Sequence, residues 1–259
     1  MASSAIEGLD TRIIETIRYV GASISLVVKA IASLFKRPFE VGPIVEQMES
    51  LGLKSLTIVG LTSLFTGMVF CLQTGSAFVR FGAKSYVSKI VAVAITRELG
   101  PILVSLIVSG RVAAGIAAEI GSMMVSDQID AMRVMGASPI KRLVMPRVVA
   151  LFIMLPLLAL IGDVLGIFGG MIVAAIELDI KASFFISSSL DFLKIEDVLS
   201  GIGKCFFFAL IIAGVGCYQG LTTAGGTRGV GISTTKAVVL SSILILLSDL
   251  LLTKAFMLL

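Results

Sequence analysis

Residues 90–147 read IVAVAITRELGPILVSLIVSGRVAAGIAAEIGSMMVSDQIDAMRVMGASPIKRLVMPR. The first part, residues 90–124, is apolar enough to span a bilayer, yet it carries Arg97, Glu98, Arg111 and Glu119. A charge at the centre of a membrane helix costs roughly 2.5–3.5 kcal/mol on insertion scales, so such residues normally face a protein interior or a wet cavity. Arg97 and Glu98 also lie just before Gly100-Pro101. Proline has no N–H, and its ring crowds the carbonyl four residues back, here that of Arg97. The backbone is therefore weakened where the charges sit, a feature tolerated in membranes where a helix lines a cavity or is buried in protein.

The second part changes character. Ser126 can cap free helical N–H groups and Asp127 suits the positive end of a helix, so a short helix is expected over about 126–136, ending at Gly136. Ser138-Pro139 restarts the chain with proline at a first helical position, and Lys141, Arg142 and Arg147 follow. A short amphipathic helix between two spans, followed by basic residues, is what a membrane subunit needs to dock on a cytoplasmic partner.

Composition agrees with a membrane protein. The chain of 259 residues is 57% hydrophobic and 15% charged, with a mean hydropathy of +1.06. That leaves too little polar surface for a water-facing globule. The net charge of +4 comes mainly from loops and speaks to orientation, with no nucleic acid implied. Cys71, Cys205 and Cys217 lie in apolar segments, there is no histidine, and no zinc or disulfide spacing exists, so neither metal nor cofactor is expected. Glu7 and Asp10 occupy the place of a signal peptide's basic region and apolar core, and the first span is expected to serve as the insertion signal.

The expected architecture is an all-α integral membrane protein: an N-terminal interfacial amphipathic helix and linker (1–54), then a five-span unit (55–259) with a cytoplasmic coupling helix between the second and third spans. Apolar residues recur at helical spacing from Ile6 to Leu34, interrupted by Glu7, Arg12, Glu15, Arg18 and Lys29, a pattern that suits the membrane interface or packing on the same subunit. Lys36-Arg37-Pro38 is expected to end that helix. The spans are expected at about 55–79, 90–124, 148–176, 205–222 and 237–259. The first holds 25 residues without a charge, about 37 Å if helical, and Gln73-Thr74-Gly75 is expected to unwind its far end. The third carries Pro156 as an expected kink and Asp163 near its middle. Residues 177–204 read as a polar loop with one or two short helices, and the Gly- and Thr-rich stretch 224–236 as a connecting loop. With the N-terminus inside, twelve Lys and Arg of the loops face the cytoplasm against seven outside, which puts residues 127–147 in the cytoplasm.

The blocks RELGP (97–101), SGR (109–111), AEIGS (118–122), DQIDAM (127–132), MPR (145–147), CYQG (217–220) and GVGISTTKAVV (229–239) together resemble the signature of the MlaE permeases. These are the membrane subunits of ABC-type lipid transporters that work with MCE-domain proteins, and the similarity runs from about Gly52 to Thr253. The resemblance implies a homodimer in the bacterial inner membrane with two cytoplasmic ABC ATPase subunits, a periplasmic MCE-domain protein, a STAS-domain accessory protein as a further candidate partner, and a phospholipid cargo. Maintenance of outer-membrane lipid asymmetry would be the role. It further implies that Asp127, Gln128, Asp130, Ala131 and Met132 couple to the ATPase, and that Phe70, Phe78 and Phe81 line a lipid cavity at the dimer interface.

The chain itself is not expected to be an enzyme. The phosphate-binding pattern GxxxxGK[ST] is absent, so nucleotide chemistry would belong to another chain. Arg97 and Glu98 either line the lipid cavity or join Arg111 and Glu119 in a buried structural network. Two stripes of small residues, Gly110/Ala114/Ala118 and Ala113/Ala117/Gly121, mark helix-packing faces, with Arg111 and Glu119 beside them. On spacing alone, phenylalanines in a membrane span are more often lipid-facing or packing residues. Asp163 and Asp249 each lie alone in a span, either bonding to a neighbouring helix or, with Glu98, carrying protons in a secondary transporter, the alternative function.

Overall fold

The computed structural model describes residues 2–34 and 41–258, with side chains from Arg18 onward except Met257. The expected helix stop at Lys36-Arg37-Pro38 and the charge pattern of residues 7–15 therefore lie outside what is described. Among the described residues every regular element is helical. Five helical stretches are long and apolar enough to cross a membrane: Val41–Arg80, Lys84–Val125, Ile140–Glu177, Ile195–Leu221 and Gly226–Phe256. They alternate in direction, so the connections near residues 81–86 and 178–194 gather at one end, and those near 126–139 and 222–225 at the other.

Before the spans, α1 (Ala2–Leu34) is a single helix. It buries Ser23, Val27 and Ala30 and leaves Ile24 and Val28 each 59% exposed. One apolar face of this helix thus packs on protein and another is left open. The first span comprises α2 (Val41–Gln47), a π-helical turn, a short 3₁₀ turn and α3 (Leu56–Arg80).

The expected unwinding at Gln73-Thr74-Gly75 does not occur, and α3 is helical through Arg80. Its glycines serve packing instead. A Cβ on Gly67 would run into the Gly166 carbonyl oxygen, and one on Gly75 would run into the Leu178 side chain. The partner helix, α8 (Met145–Glu177), brings Gly166 and Gly169 to the same seam. Close backbone approach through small residues is how helices associate where lipid tails are as apolar as the side chains.

The second span divides at two π-helical turns. It runs α4 (Val87–Ala94), a π turn at Ile95–Leu99, α5 (Gly100–Val108), a π turn at Ser109–Ala113 and α6 (Ala114–Val125). The first turn ends immediately before Gly100-Pro101, so the helix accommodates proline by widening. A π turn inserts one residue into the helix and rotates the turns downstream of it. The Arg97 carbonyl, which Pro101 cannot serve, accepts from Lys204 Nζ at 3.3 Å.

Next comes α7 (Gln128–Val134). Its start differs from expectation. Ser126 gives its hydroxyl to the Ser122 carbonyl, and Asp127 makes no side-chain cap and adopts φ 57°. Its end follows the sequence: Gly136 has φ 76°, and the N–H groups of Gly136 and Ala137 reach back to Arg133 and Met132 carbonyls, closing the helix. Pro139 then leads into a π turn at Ile140–Val144 and α8, within which Pro156 is contained without a break in the helix.

Beyond α8, the segment read as a polar loop is mostly helix. α9 (Ala182–Phe192) is followed by only two residues before α10 (Ile195–Leu221) begins. Asp197 caps that start by accepting from the Lys194 N–H at 3.0 Å. The Gly- and Thr-rich stretch is likewise helical from Gly226, in α11 (Gly226–Leu258). Gly225 and Gly226 make the turn with φ 89° and 69°, while Thr234 and Thr235 return their hydroxyls to the Gly231 carbonyl. Helix-breaking composition gave way to tertiary packing: Ser233 and Ala237 are buried, and Ser233 bonds to Thr223.

Candidate functional site

The second span positions a cavity of about 310 Å³, lined by Ile90, Val93, Ala94, Arg97, Glu98, Phe192, Ser200, Lys204, Thr253 and Phe256. Its walls come from α4 and the π turn after it, from the end of α9, and from α10 and α11. Two ion pairs lie at its wall. Arg97 Nε lies 2.7 Å from Asp197 Oδ1, and Lys204 Nζ lies 2.6 Å from Glu98 Oε2. Lys204 is 1% exposed and also reaches Asp249 Oδ1 at 3.2 Å and Thr253 Oγ1 at 2.7 Å. Glu98 closes the group by accepting from the Thr253 hydroxyl at 3.2 Å.

The local backbone explains the divergence of Arg97 and Glu98. Consecutive residues of a helical turn point in different directions, so Arg97 reaches Asp197 in the first turn of α10 while Glu98 reaches Lys204 further along α10 and Thr253 near the end of α11. Lys204 stands seven residues after Asp197, two turns further along α10, and so presents to the same wall. A buried ammonium is tolerated only with partners that replace its water; here it has two carboxylates, a hydroxyl and the carbonyl that Pro101 exposes.

Arg97 and Glu98 both line this cavity. Neither joins Arg111 or Glu119. Arg111 is exposed and donates to Ser55 Oγ at 2.5 Å, near the start of the first span. Glu119 pairs at 2.7 Å with Arg147, which is 3% exposed and not a loop cation. Lys204 is likewise no loop residue; removing one lysine from the outer count and one arginine from the inner leaves the charge bias in place. The phenylalanines do not reach the cavity within one chain. Phe70 and Phe78 pack on Cys71, Val87, Val91, Leu178 and Phe185, and Phe81 is 85% exposed.

Sequence reading missed Lys204, Asp197, Thr253 and the engagement of Asp249. The available signal was that a lysine and two aspartates on neighbouring apolar helices must find buried opposite charges. It was hidden because residues 177–204 read as loop.

The small-residue stripes separate. Ala113, Ala117 and Gly121 are buried against α10, where a Cβ on Gly216 or Gly220 would meet the α6 helix, and Gly121 faces Thr223. Of the other stripe, Gly110 is exposed with no atom within 4 Å of a would-be Cβ, and Ala114 and Ala118 are half-buried.

At the opposite end of the molecule α7 is anchored by Ile129, fully buried, while Met132 packs half-buried on the core. Gln128, Asp130 and Ala131 are exposed, as is Asp127 before them. Asp130 pairs with Arg133 at 2.7 Å, and Val134 and Met135 are 89% and 77% exposed. A cavity of about 640 Å³ beside α7 is lined by Pro43, Met132, Gly136, Lys141 and Pro146 among others.

Five membrane-length helices, an ion-paired cavity wall and an exposed helix at the far end of the same span define a multi-span membrane protein, and comparison gives its class. A family model described as Permease MlaE matches residues 44–255. The chain is 44% identical to a protein named "Probable ABC transporter permease protein" from Rickettsia prowazekii, over 88% of each chain. It is 42% identical to one of the same description from Rickettsia felis, over 95% of each. It is also 38% identical to the Arabidopsis thaliana chloroplast protein TRIGALACTOSYLDIACYLGLYCEROL 1, over 82% of this chain and 60% of that one. The chain belongs to the MlaE permease family and is a multi-pass membrane permease subunit.

Proposed function

We propose that this permease works as a homodimer within an ATP-driven transporter of the bacterial inner membrane. The complex moves phospholipids between that membrane and a periplasmic MCE-domain carrier, in maintenance of outer-membrane lipid asymmetry. Two cytoplasmic ATPase subunits dock on Asp127–Met132, and a STAS-domain accessory protein joins them. The observation that carries this reading is that one span holds the cavity near one end and runs directly into the exposed α7 at the other. Force applied to α7 is transmitted along α6 and α5 to the π turn of Arg97 and Glu98. The plant relative, whose name is that of a glycolipid, supports a lipid cargo. Phe70, Phe78 and Phe81 would join the lipid path only where a second chain completes it, and the open Gly110/Ala114/Ala118 face is suited to receive that chain.

Proton-coupled transport through Glu98 and Asp249 loses support from the engagement of both with Lys204, whereas Asp163 lies buried against Gly100, apart from them.

The test is a purified complex in vesicles, with ATP hydrolysis and lipid transfer measured together. Asp130→Arg or Ala131→Trp in α7 should leave the fold and basal hydrolysis near wild type and reduce lipid moved per ATP about tenfold or more. Undiminished coupling in both variants would overturn the docking assignment.

A further inference from the structure

The ion-paired groups beside the cavity do not cancel in charge. Among the ion-paired groups, Arg97 and Lys204 supply two positive charges and Glu98, Asp197 and Asp249 three negative ones, in two separate sets of ion contacts. Together they carry one excess negative charge when all five groups are ionised. Arg97 is matched by Asp197, whose side chain is 8% exposed. The surplus therefore falls on the Glu98–Lys204–Asp249 group, where one ammonium faces two carboxylates. Of those two, Asp249 is 14% exposed and Glu98 is 39% exposed. Glu98 is thus the carboxylate that a molecule in the cavity can touch. Lys254, next in sequence to Thr253, is exposed, where solvent screens its charge, and the half-buried Lys89 holds its ammonium over the Phe192 ring at 5.5 Å, on the α9 wall of the cavity rather than among the Glu98–Lys204–Asp249 contacts.

An uncompensated charge beside apolar walls is costly, and an incoming cation that reaches it recovers part of that cost. Anions gain less here. Arg97 offers N–H donors beyond the one given to Asp197 and can meet a phosphate, but every phospholipid has a phosphate, so this contact does not discriminate. The discriminating group is whatever the lipid presents to Glu98.

Building on the reading that the cargo is a phospholipid, we infer that the cavity selects headgroups bearing an ammonium, the zwitterionic phospholipids, over anionic headgroups that lack one. The ammonium donates to the Glu98 carboxylate while the phosphate lies toward Arg97. No covalent step is involved, and the selection is a difference in binding.

The experiment takes the full-length chain, purified with the subunits it assembles with, after equilibration in vesicles of equal phosphatidylethanolamine and phosphatidylglycerol. Bound lipid is quantified by mass spectrometry. The wild type should hold phosphatidylethanolamine in about fivefold excess, the upper range for one partly solvated charge pair. Glu98→Gln and, separately, Asp249→Asn each remove the excess negative charge with little change of shape, and either should bring the bound ratio back to that of the vesicles. The amide at position 249 does not touch cargo, so its effect separates charge from lost contact. Equal or reversed proportions in the wild type, with lipid bound, would overturn the selectivity and leave phospholipid transport standing. A wild-type ratio retained in both variants would overturn its assignment to this cluster. Neither lipid bound would overturn the phospholipid reading itself.

Discussion

The second span contains the same backbone device twice, with opposite surroundings. Both π turns, Ile95–Leu99 and Ser109–Ala113, carry an arginine. Around the first, Arg97 and Glu98 are bound to charged partners on α10, Thr253 joins from α11, and even the orphaned carbonyl has a donor. Around the second, Arg111 is exposed and among the described residues reaches Ser55 and the Ser50 carbonyl, at the edge of the π turn Met48–Gly52 of the first span. The first turn is thus fastened to the helices behind it by charge. The second is fastened by the fit of Ala113 and by a hydroxyl pair, Ser109 to Ser241 at 2.6 Å. The difference teaches that helix widening does not itself dictate a polar site. What matters is whether neighbouring helices carry complementary groups at that depth.

The comparison breaks most sharply at Lys204. Lys204→Met strips the shared cation from two carboxylates, and loss of one partner of a buried pair costs about 3–5 kcal/mol. Thermal unfolding of the purified complex should fall accordingly. Adding Glu98→Gln and Asp249→Asn to the same chain should recover most of the loss, because no uncompensated charge then remains. An unfolding midpoint unmoved by Lys204→Met would mean that charge does not fasten this turn.

Steric fit is the next strongest lever. Gly67→Ala drives a methyl group into the Gly166 carbonyl, where backbone has to move, and overpacking of this kind costs about 1–3 kcal/mol. Gly110→Ala, in the second π turn, meets nothing within 4 Å. It should be neutral or stabilising by up to about 1 kcal/mol within one chain, since alanine is the better helix former. Should Gly110→Ala prove the more damaging of the two, the open face of α5 and α6 is covered in the assembly, and a cross-linking measurement between copies would show it.

The long apolar runs made the five spans legible, because no other arrangement of such residues satisfies backbone hydrogen bonds in lipid. Arg97, Glu98 and the Gly100-Pro101 break were legible for the same reason: each violates what a plain anchor requires. The ends of spans were not. Lys194, Asp197 and Lys204 read as loop because charge usually marks solvent, yet here Asp197 serves both as helix cap and as partner to Arg97. Gly226–Lys236 read as loop because glycine and threonine are poor helix formers, and tertiary packing outweighs that preference. The partner of a buried charge is a property of three-dimensional neighbours, so Glu98 pointed to a cavity without naming Lys204.

The smallest effect should come from Arg111, and it sharpens the contrast most. Its hydrogen bonds to Ser55 and Ser50 are made from an exposed side chain, so the net contribution lies toward the low end of about 0.5–1.5 kcal/mol for such a bond. Arg111→Ala should therefore shift thermal unfolding by little, with Arg111→Lys close to wild type because a single ammonium still reaches the Ser55 hydroxyl. If the second π turn serves as the place where the span flexes, Arg111→Ala should nevertheless raise backbone amide exchange across 109–113 while leaving 95–99 protected behind its ion pairs. Equal exchange at both turns in the variant would show that Lys204 and Asp197 do not hold the first turn apart from the second.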